Sequence, residues 1–330
     1  MKSYLDSTRI VRSQEVDLPQ HYIERLFSGL DAPGRHIEQA VLPFRLQITH
    51  QDGGVRFVGD EVAVTLAEKM MVRLSAARPT GDSGEALIRD TAASVIQDAL
   101  RHDLAYRLIG IRQALRPMSL SQVAFMNAVL LADRSLILGI GPTGTGKTHL
   151  AIAAGLSLVA QSRFKCLVIT RPHVMMEGEI MTPALRAETA HDEQLAPIED
   201  MLHDLIGIAE TQRLIEQGLI EIIPLGRMRG RTFNQCLIVV DEAQNMTVRK
   251  MRMAVTRLGR ASCMVVTGDP AQNDLPGDET SGLTHLLHLI AGTDLALVHQ
   301  FQNHEIIRTE FVARIETLYS QEGRPGMRAA

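Results

Sequence analysis

The stretch that most constrains this chain runs Ser135-Leu-Ile-Leu-Gly-Ile-Gly-Pro-Thr-Gly-Thr-Gly-Lys-Thr148, followed by His149-Leu-Ala-Ile-Ala-Ala-Gly-Leu-Ser-Leu158. Residues 135–140 form a short apolar run suited to a buried strand, and 149–158 carry Ala and Leu in helical order. Between them sits Gly141-x-x-x-x-Gly146-Lys147-Thr148, the spacing of a phosphate-binding loop. Glycines at 141, 144 and 146 allow positive φ, which turns N–H groups toward one point, and the helix that follows adds its positive end. A glycine-containing turn can reach this spacing by accident; the strand before it and the helix after it are the context that selects an anion site. The loop from Gly141 through Pro142, Thr143, Gly144, Thr145 and Gly146 is expected to wrap the phosphates of ATP. Lys147 then reaches the β- and γ-phosphates, and Thr148 ligates Mg²⁺.

Length and charge set the bounds. At 330 residues there is room for about two domains. Hydrophobic residues make up 45%, enough for a core. A net charge of −4 and a pI near 6.3 exclude a protein that coats nucleic acid through bulk charge, so any polynucleotide contact has to be local. With no Trp and 4% aromatic residues, base-stacking platforms are scarce. No segment has the apolar length of a signal peptide or a membrane span, so a cytoplasmic protein with no membrane partner is expected. Cys166, Cys236 and Cys263 are odd in number, and each opens an apolar run. Buried small hydrophobes are expected there, in preference to a metal site or a disulfide.

Residues 1–117 read as a small α+β domain with a helical linker. Gln20 to Phe27 and Arg35 to Leu42 are expected as helices, split by the turn Asp31-Ala-Pro-Gly34. Arg45 to Thr49 and Val55 to Val58 alternate around Gln51-Asp-Gly-Gly54 and predict a hairpin. An amphipathic helix over Glu61 to Ala76 follows, then a linker from Arg78 to Gly84 and a helix ending near Arg101. Gly29 to Gly34 either clamps nucleic acid or simply turns the chain; without a basic run beside it, the turn is the plainer reading. Arg116-Pro117 marks a boundary, because proline disfavours helix just before itself. Ser119 to Leu131 then reads as a helix with Ser119 or Ser121 as N-cap. Gln122 in that helix either reads an adenine edge with its paired amide donor and acceptor or faces solvent.

Residues 118–320 are expected to hold the rest of a nucleotide hydrolase, with 321–330 a disordered tail. Apolar runs at Cys166 to Thr170, Leu219 to Ile223, Cys236 to Val240, Cys263 to Thr267 and Leu295 to Val298 alternate with helices. That pattern predicts an α/β fold with a parallel sheet covered on both faces, and ligands at the strands' carboxyl ends. Asp241 ends one strand and is expected to hold Mg²⁺, with Glu242 beside it orienting or deprotonating the attacking water. A capping pair ahead of a helix over Ala243 to Met253 is the blander reading of the same two acids. Gln244 is expected near the same phosphate, and Val266-Thr-Gly-Asp269-Pro-Ala-Gln272 offers Gln272 as a sensor of the γ-phosphate. Arg227, Arg229 and Arg231 form a small cationic cluster. It contacts nucleic-acid phosphate, or reaches a neighbouring subunit's nucleotide, or sits solvated. The acidic stretch Glu177 to Asp204 speaks against a continuous basic groove.

Several of these segments together resemble the PhoH family of P-loop ATPases: Gly-Pro-Thr-Gly-Thr-Gly-Lys-Thr148, Thr170-Arg-Pro172, Met228-Arg-Gly-Arg-Thr-Phe-Asn234, Val240-Asp-Glu-Ala-Gln-Asn245, Thr256-Arg-Leu-Gly259, Val266-Thr-Gly-Asp269 and Ser281-Gly-Leu283. The resemblance covers about residues 118–320. It implies ATP binding and hydrolysis on a helicase-like P-loop core, ring-shaped oligomers and a role in RNA metabolism. The chain departs from the family pattern at Glu179 to Leu185, at Gly277-Asp278, and after Arg308, where the family's histidine is replaced by Thr309.

Motors of the helicase type place ATP between two such cores, and this chain carries one. A homo-oligomer is therefore expected, in which Arg308, or else Arg257 or Arg260, reaches a neighbour's γ-phosphate. The leading functional expectation is an oligomeric ATPase that remodels RNA or an RNA-protein complex. The alternative is a nucleotide-dependent adaptor that recruits a ribonuclease or a ribosome-assembly partner and hydrolyses slowly. A small-molecule kinase ranks third, since Glu242 is better placed to activate water than a substrate hydroxyl.

Overall fold

The computed structural model describes residues 11–17, 33–51, 54–76, 84–172, 195–272, 275 and 279–307. The helix expected over Gln20 to Phe27, the segment Glu179 to Leu185, Arg308 and the tail 321–330 lie outside the described residues. By Cα proximity the chain divides into two compact units. One takes in Met1–Arg134, Ala151–Leu167 and Ile198–Ile220, the other Ser135–Leu150, Val168–Pro197 and Glu221–Ala330.

In the first unit, strands β1 (Val11–Asp17), β2 (Leu46–Gln51) and β3 (Gly54–Asp60) form an antiparallel sheet in the order β1-β3-β2. The predicted hairpin is present, with Gln51 opposite Gly54. Strand β1 was not anticipated, because its sequence VRSQEVD has no apolar run; what holds it is the ladder to β3. Alternation in β3 buries Val55 and Phe57 while Arg56 stays exposed. Helices α1 (Pro33–Ala40), α2 (Glu61–Ala76) and α3 (Gly84–His102) pack on one another, and α2 also packs on β3. Ile37, Met70, Leu74, Ile88 and Val95 are buried among them, each such side chain contributing about 1.5–3 kcal/mol. Helix α4 (Leu120–Leu131) begins at Ser119, whose Oγ accepts from Gln122 N at 3.2 Å.

The larger sheet has six strands in the order β6-β5-β7-β8-β4-β9. They are β4 (Leu136–Ile140), β5 (Cys166–Arg171), β6 (Ile220–Pro224), β7 (Cys236–Val240), β8 (Cys263–Gly268) and β9 (Ala296–Gln300). β4 pairs in parallel with both β8 and β9, and β7 in parallel with β8. Every residue of β4, β7 and β8 is buried, which is why these strands read as unbroken apolar runs, and all three cysteines are buried. The fold is therefore α/β, with helices between the strands: α5 (Lys147–Ala160), α6 (Ala196–Ile206), α7 (Ile208–Glu216), α8 (Val248–Val255) and α9 (Gly282–Ile290).

Parallel registry brings the carboxyl ends of β4, β7 and β8 to one edge, with Ile140 beside Gly268 and Val240 beside Val266. The segments that follow, at 141, 241 and 269, are thus gathered by topology. One expected element is corrected. No helix runs over 243–253; a 3-10 turn at Ala243–Asn245 is followed by an extended Met246, and α8 starts only after the N-cap Thr247, whose Oγ1 accepts from Lys250 N. The two acids therefore do not cap this helix; Thr247, inside the expected range, does. Among the described residues no helix is long and apolar enough to cross a membrane.

Candidate functional site

The loop between β4 and α5 takes positive φ at Gly141 (137°), Gly144 (86°) and Gly146 (80°). Glycine at 141 is required twice over, since a Cβ there would lie 2.6 Å from Phe301 O. The loop closes into helix through Leu150 N donating to Gly146 O at 3.0 Å. Lys147 is buried within this turn. Its Nζ donates to Gly141 O at 2.7 Å, Pro142 O at 2.6 Å and Thr145 Oγ1 at 3.1 Å, which matches the three donors of an ammonium. Burial pushes the Lys147 ammonium below the usual lysine range, while the carboxylates of Asp269, Glu242 and Asp241 pull it back up.

Next to the lysine, Thr148 Oγ1 donates to Asp241 Oδ1 at 2.6 Å, and Thr267 Oγ1 donates to the same oxygen at 2.9 Å. Two hydroxyls and a carboxylate converge at a buried corner. That is a set of hard oxygen donors suited to Mg²⁺, which keeps most of its shell for water and phosphate. The residues present fit a magnesium nucleotide.

Glu242 follows Asp241 in the left-handed region at φ 49°, ψ 42°, a conformation uncommon for a non-glycine residue. This turn takes Glu242 out of the strand direction and half exposes it. Arg171 at the end of β5 binds both acids, with its guanidinium 3.3 Å from Glu242 Oε1 and 3.9 Å from Asp241 Oδ2. Gln244 is buried and acts as a brace: its Nε2 donates to Glu242 Oε2, and its Oε1 accepts from Asp269 N at 3.0 Å. Ser281 Oγ in turn donates to Gln244 O at 2.8 Å and accepts from Leu283 N, which starts α9.

Gln272 also comes to the loop, its Oε1 accepting from Thr143 Oγ1 at 2.9 Å. The fold therefore gathers the loop residues, Lys147, Thr148, Asp241, Glu242, Gln244 and Gln272, all within one unit. Gln122 belongs to the other unit and does not face solvent: it is buried, and its Oε1 accepts from Met118 N at 2.7 Å. Sequence reading assigns no site role to Arg171, Thr267, Ser281, Phe301 or Ile307. Phe301 N donates to Ile140 O at 2.7 Å and Ile307 N to Gly144 O at 2.8 Å, so residues 301–307 lie along the loop. Thr267 was findable as the residue one strand over from Asp241; Phe301 carries no local signal.

A family model described as PhoH-like protein matches residues 114–320. A PhoH-like protein of Mycobacterium bovis is 31% identical over 322 residues, covering 96% of this chain and 90% of that one. A PhoH-like protein of Bacillus subtilis is 36% identical over 210 residues, covering 64% and 65%. Among solved structures, the Sulfolobus solfataricus SWI2/SNF2 ATPase core in complex with dsDNA aligns with a TM-score of 0.36 at 17% identity, over 66% of this chain and 55% of that one.

Proposed function

The chain belongs to the PhoH-like family, and from that premise we propose that it binds ATP with Mg²⁺ on the loop Gly141–Thr148 and hydrolyses it to ADP and phosphate, as a homo-oligomer acting in RNA metabolism. The observation that carries this reading is the Thr148–Asp241 contact, which sets a hydroxyl and a carboxylate together beside the loop lysine. In this reading Lys147 exchanges its loop carbonyl acceptors for phosphate oxygens, and the backbone of 141–146 encloses the phosphate chain. Bound magnesium supplies neutralisation of charge on the phosphates. Glu242 accepts a proton from, or orients, the attacking water, while Gln244 and Arg171 hold its carboxylate in place. Gln272 and Thr143 sit where a terminal phosphate is sensed. An arginine from a neighbouring copy, Arg308 first, completes the charge balance.

The experiment is phosphate release from Mg-ATP, with and without single-stranded RNA, on protein sized by light scattering. The reading expects turnover by an oligomer and faster turnover with RNA. Turnover unchanged by RNA, with partner binding that follows nucleotide state, would transfer the function to a nucleotide-dependent adaptor. A phosphorylated small molecule in place of free phosphate would make the chain a kinase.

A further inference from the structure

Charge in this chain is unevenly laid out in a way the nucleotide site does not use. Between Glu221 and Asp241 there are three arginines and no acid; between Glu242 and Asp269 there are five basic residues and no acid. That places eight of the 34 Lys and Arg residues in two segments of a chain whose net charge is −4.

The fold brings the two segments together. Phe233 forms a parallel bridge with Leu258, Phe233 N donates to Arg257 O, Gly259 N donates to Phe233 O, and Gln235 N donates to Arg260 O. Side chains add to the join: Arg257 donates to Arg231 O at 3.3 Å, and Asn234 Oδ1 accepts from Arg260 N at 2.9 Å. Within the first segment Met228 is fully buried, so Arg227 and Arg229 on either side of it are exposed. Arg231 is fixed by a two-pronged pair with Glu221 and by lying 4.5 Å over the Phe233 ring. Within the second, Met251 and Ala254 bury one face of α8 and leave Arg249, Lys250 and Arg252 exposed on the other. Arg249 and Arg252 are three residues apart and so stand on one helix row, and Arg252 O accepts from Thr256, next to Arg257.

We propose that this continuous row, Arg249, Arg252, Arg257, Arg231, Arg229 and Arg227, binds the phosphate backbone of a polynucleotide. It deepens, and rests on, the reading of the chain as an ATPase of RNA metabolism, by giving the polynucleotide a place. A second copy of the chain fits this face poorly. None of the exposed large apolar side chains among the described residues falls between 221 and 268, and like charge facing like charge is repulsive. A neighbour's triphosphate would engage one or two of these groups, not a row. Because only Phe233 interleaves and it is buried, contact is to phosphate, and bases go unread. The row is joined to the acid pair by a short path: α8 begins at Val248, six residues after Glu242, and Ser281 meets the interval at Gln244 through its hydroxyl and at Thr247 through an isolated β-bridge.

The test is fluorescence anisotropy of single-stranded RNA and DNA of about 20 nucleotides, titrated at several salt concentrations with the full chain and with a variant carrying Arg227→Ala, Arg229→Ala, Arg249→Ala and Arg252→Ala. All four positions are exposed, and unchanged thermal unfolding and unchanged ATP turnover without oligonucleotide verify the fold. The expected result is affinity at least tenfold weaker, with a log–log salt slope shallower by about 2–3 for the four lost contacts. RNA and DNA are expected to bind the intact chain within about twofold of each other, since phosphate is common to both. Equal affinity and slope for variant and wild type would overturn the proposal, as would a change confined to the light-scattering mass, which would assign the row to contacts between copies. Lys147→Ala is expected to bind the oligonucleotide as wild type does. If the wild type bound but released no phosphate from ATP, the ATPase reading would fail while the basic row stood.

Discussion

Thr148 Oγ1 donates to Asp241 Oδ1 across 2.6 Å, although the two residues are 93 positions apart in the sequence. The partnership exists because parallel pairing of β4, β8 and β7 aligns their carboxyl ends, and Thr267 from the middle strand donates to the same oxygen. Two hydroxyls thus converge on one oxygen of the Asp241 carboxylate, and a carboxylate beside a threonine hydroxyl is the hard oxygen pair that suits magnesium.

Replacing that charge should uncouple nucleotide binding from magnesium. In Asp241→Asn the shape is kept and the anion removed. Calorimetric titration of ATP with and without Mg²⁺ should show the magnesium-dependent part of the affinity reduced by about 2 kcal/mol, roughly thirtyfold. An undiminished magnesium effect would take Asp241 out of the metal site.

Glu242 is held by Arg171 and Gln244 but takes no part in closing the loop itself. Glu242→Gln should bind Mg-ATP near the wild-type affinity while kcat falls by about 10²–10⁴. Loss of binding together with turnover would mean that the residue is structural.

Lys147 gives a pH signature whose sign follows from its surroundings. Burial lowers the ammonium pKa in the folded chain. Between that lowered value and the ordinary lysine value the unfolded chain binds more protons, so this group's contribution to stability rises with pH across that window. Phosphate oxygens favour the charged form, so ATP binding takes up a proton in the same window, and affinity should fall as pH climbs through the lowered pKa. Titration across about pH 7 to 11 in buffers of different ionisation enthalpy checks it, with Lys147→Arg expected to show no proton uptake.

At Gly141 the backbone carbonyl of Phe301 leaves no room for a methyl group. Gly141→Ala should cost about 1–3 kcal/mol, lower Tm by several degrees in a thermal melt, and weaken ATP binding because the loop must shift. An unshifted melt would contradict the close approach of residues 301 and 141.

Much of this was legible in the sequence for physical reasons that can be named. Buried parallel strands need apolar side chains on both faces, so β4, β7 and β8 announced themselves, and the loop glycines were demanded by φ. The acids at the end of β7 were legible as a candidate pair from their place at a strand end together with the phosphate loop upstream. What stayed hidden depends on long-range pairing. β1 is held by its ladder to β3, with no apolar pattern of its own. Phe301 contacts the loop only because β9 is the neighbour of β4. Arg171 reads as any strand-end arginine until β5 and β7 are seen side by side, where Asp241 N donates to Thr170 O. The helix expected from Ala243 instead begins after Thr247, because the threonine hydroxyl caps α8 by accepting from Lys250 N.

The most direct measurement is the equilibrium affinity of Mg-ATP for the wild type and for Lys147→Ala, both verified as folded by thermal melting. The account predicts saturable binding by the wild type and affinity at least about a hundredfold weaker once the lysine is removed, the size expected for charged contacts to phosphate. Equal affinity in the two proteins, or no binding by the folded wild type, would contradict it.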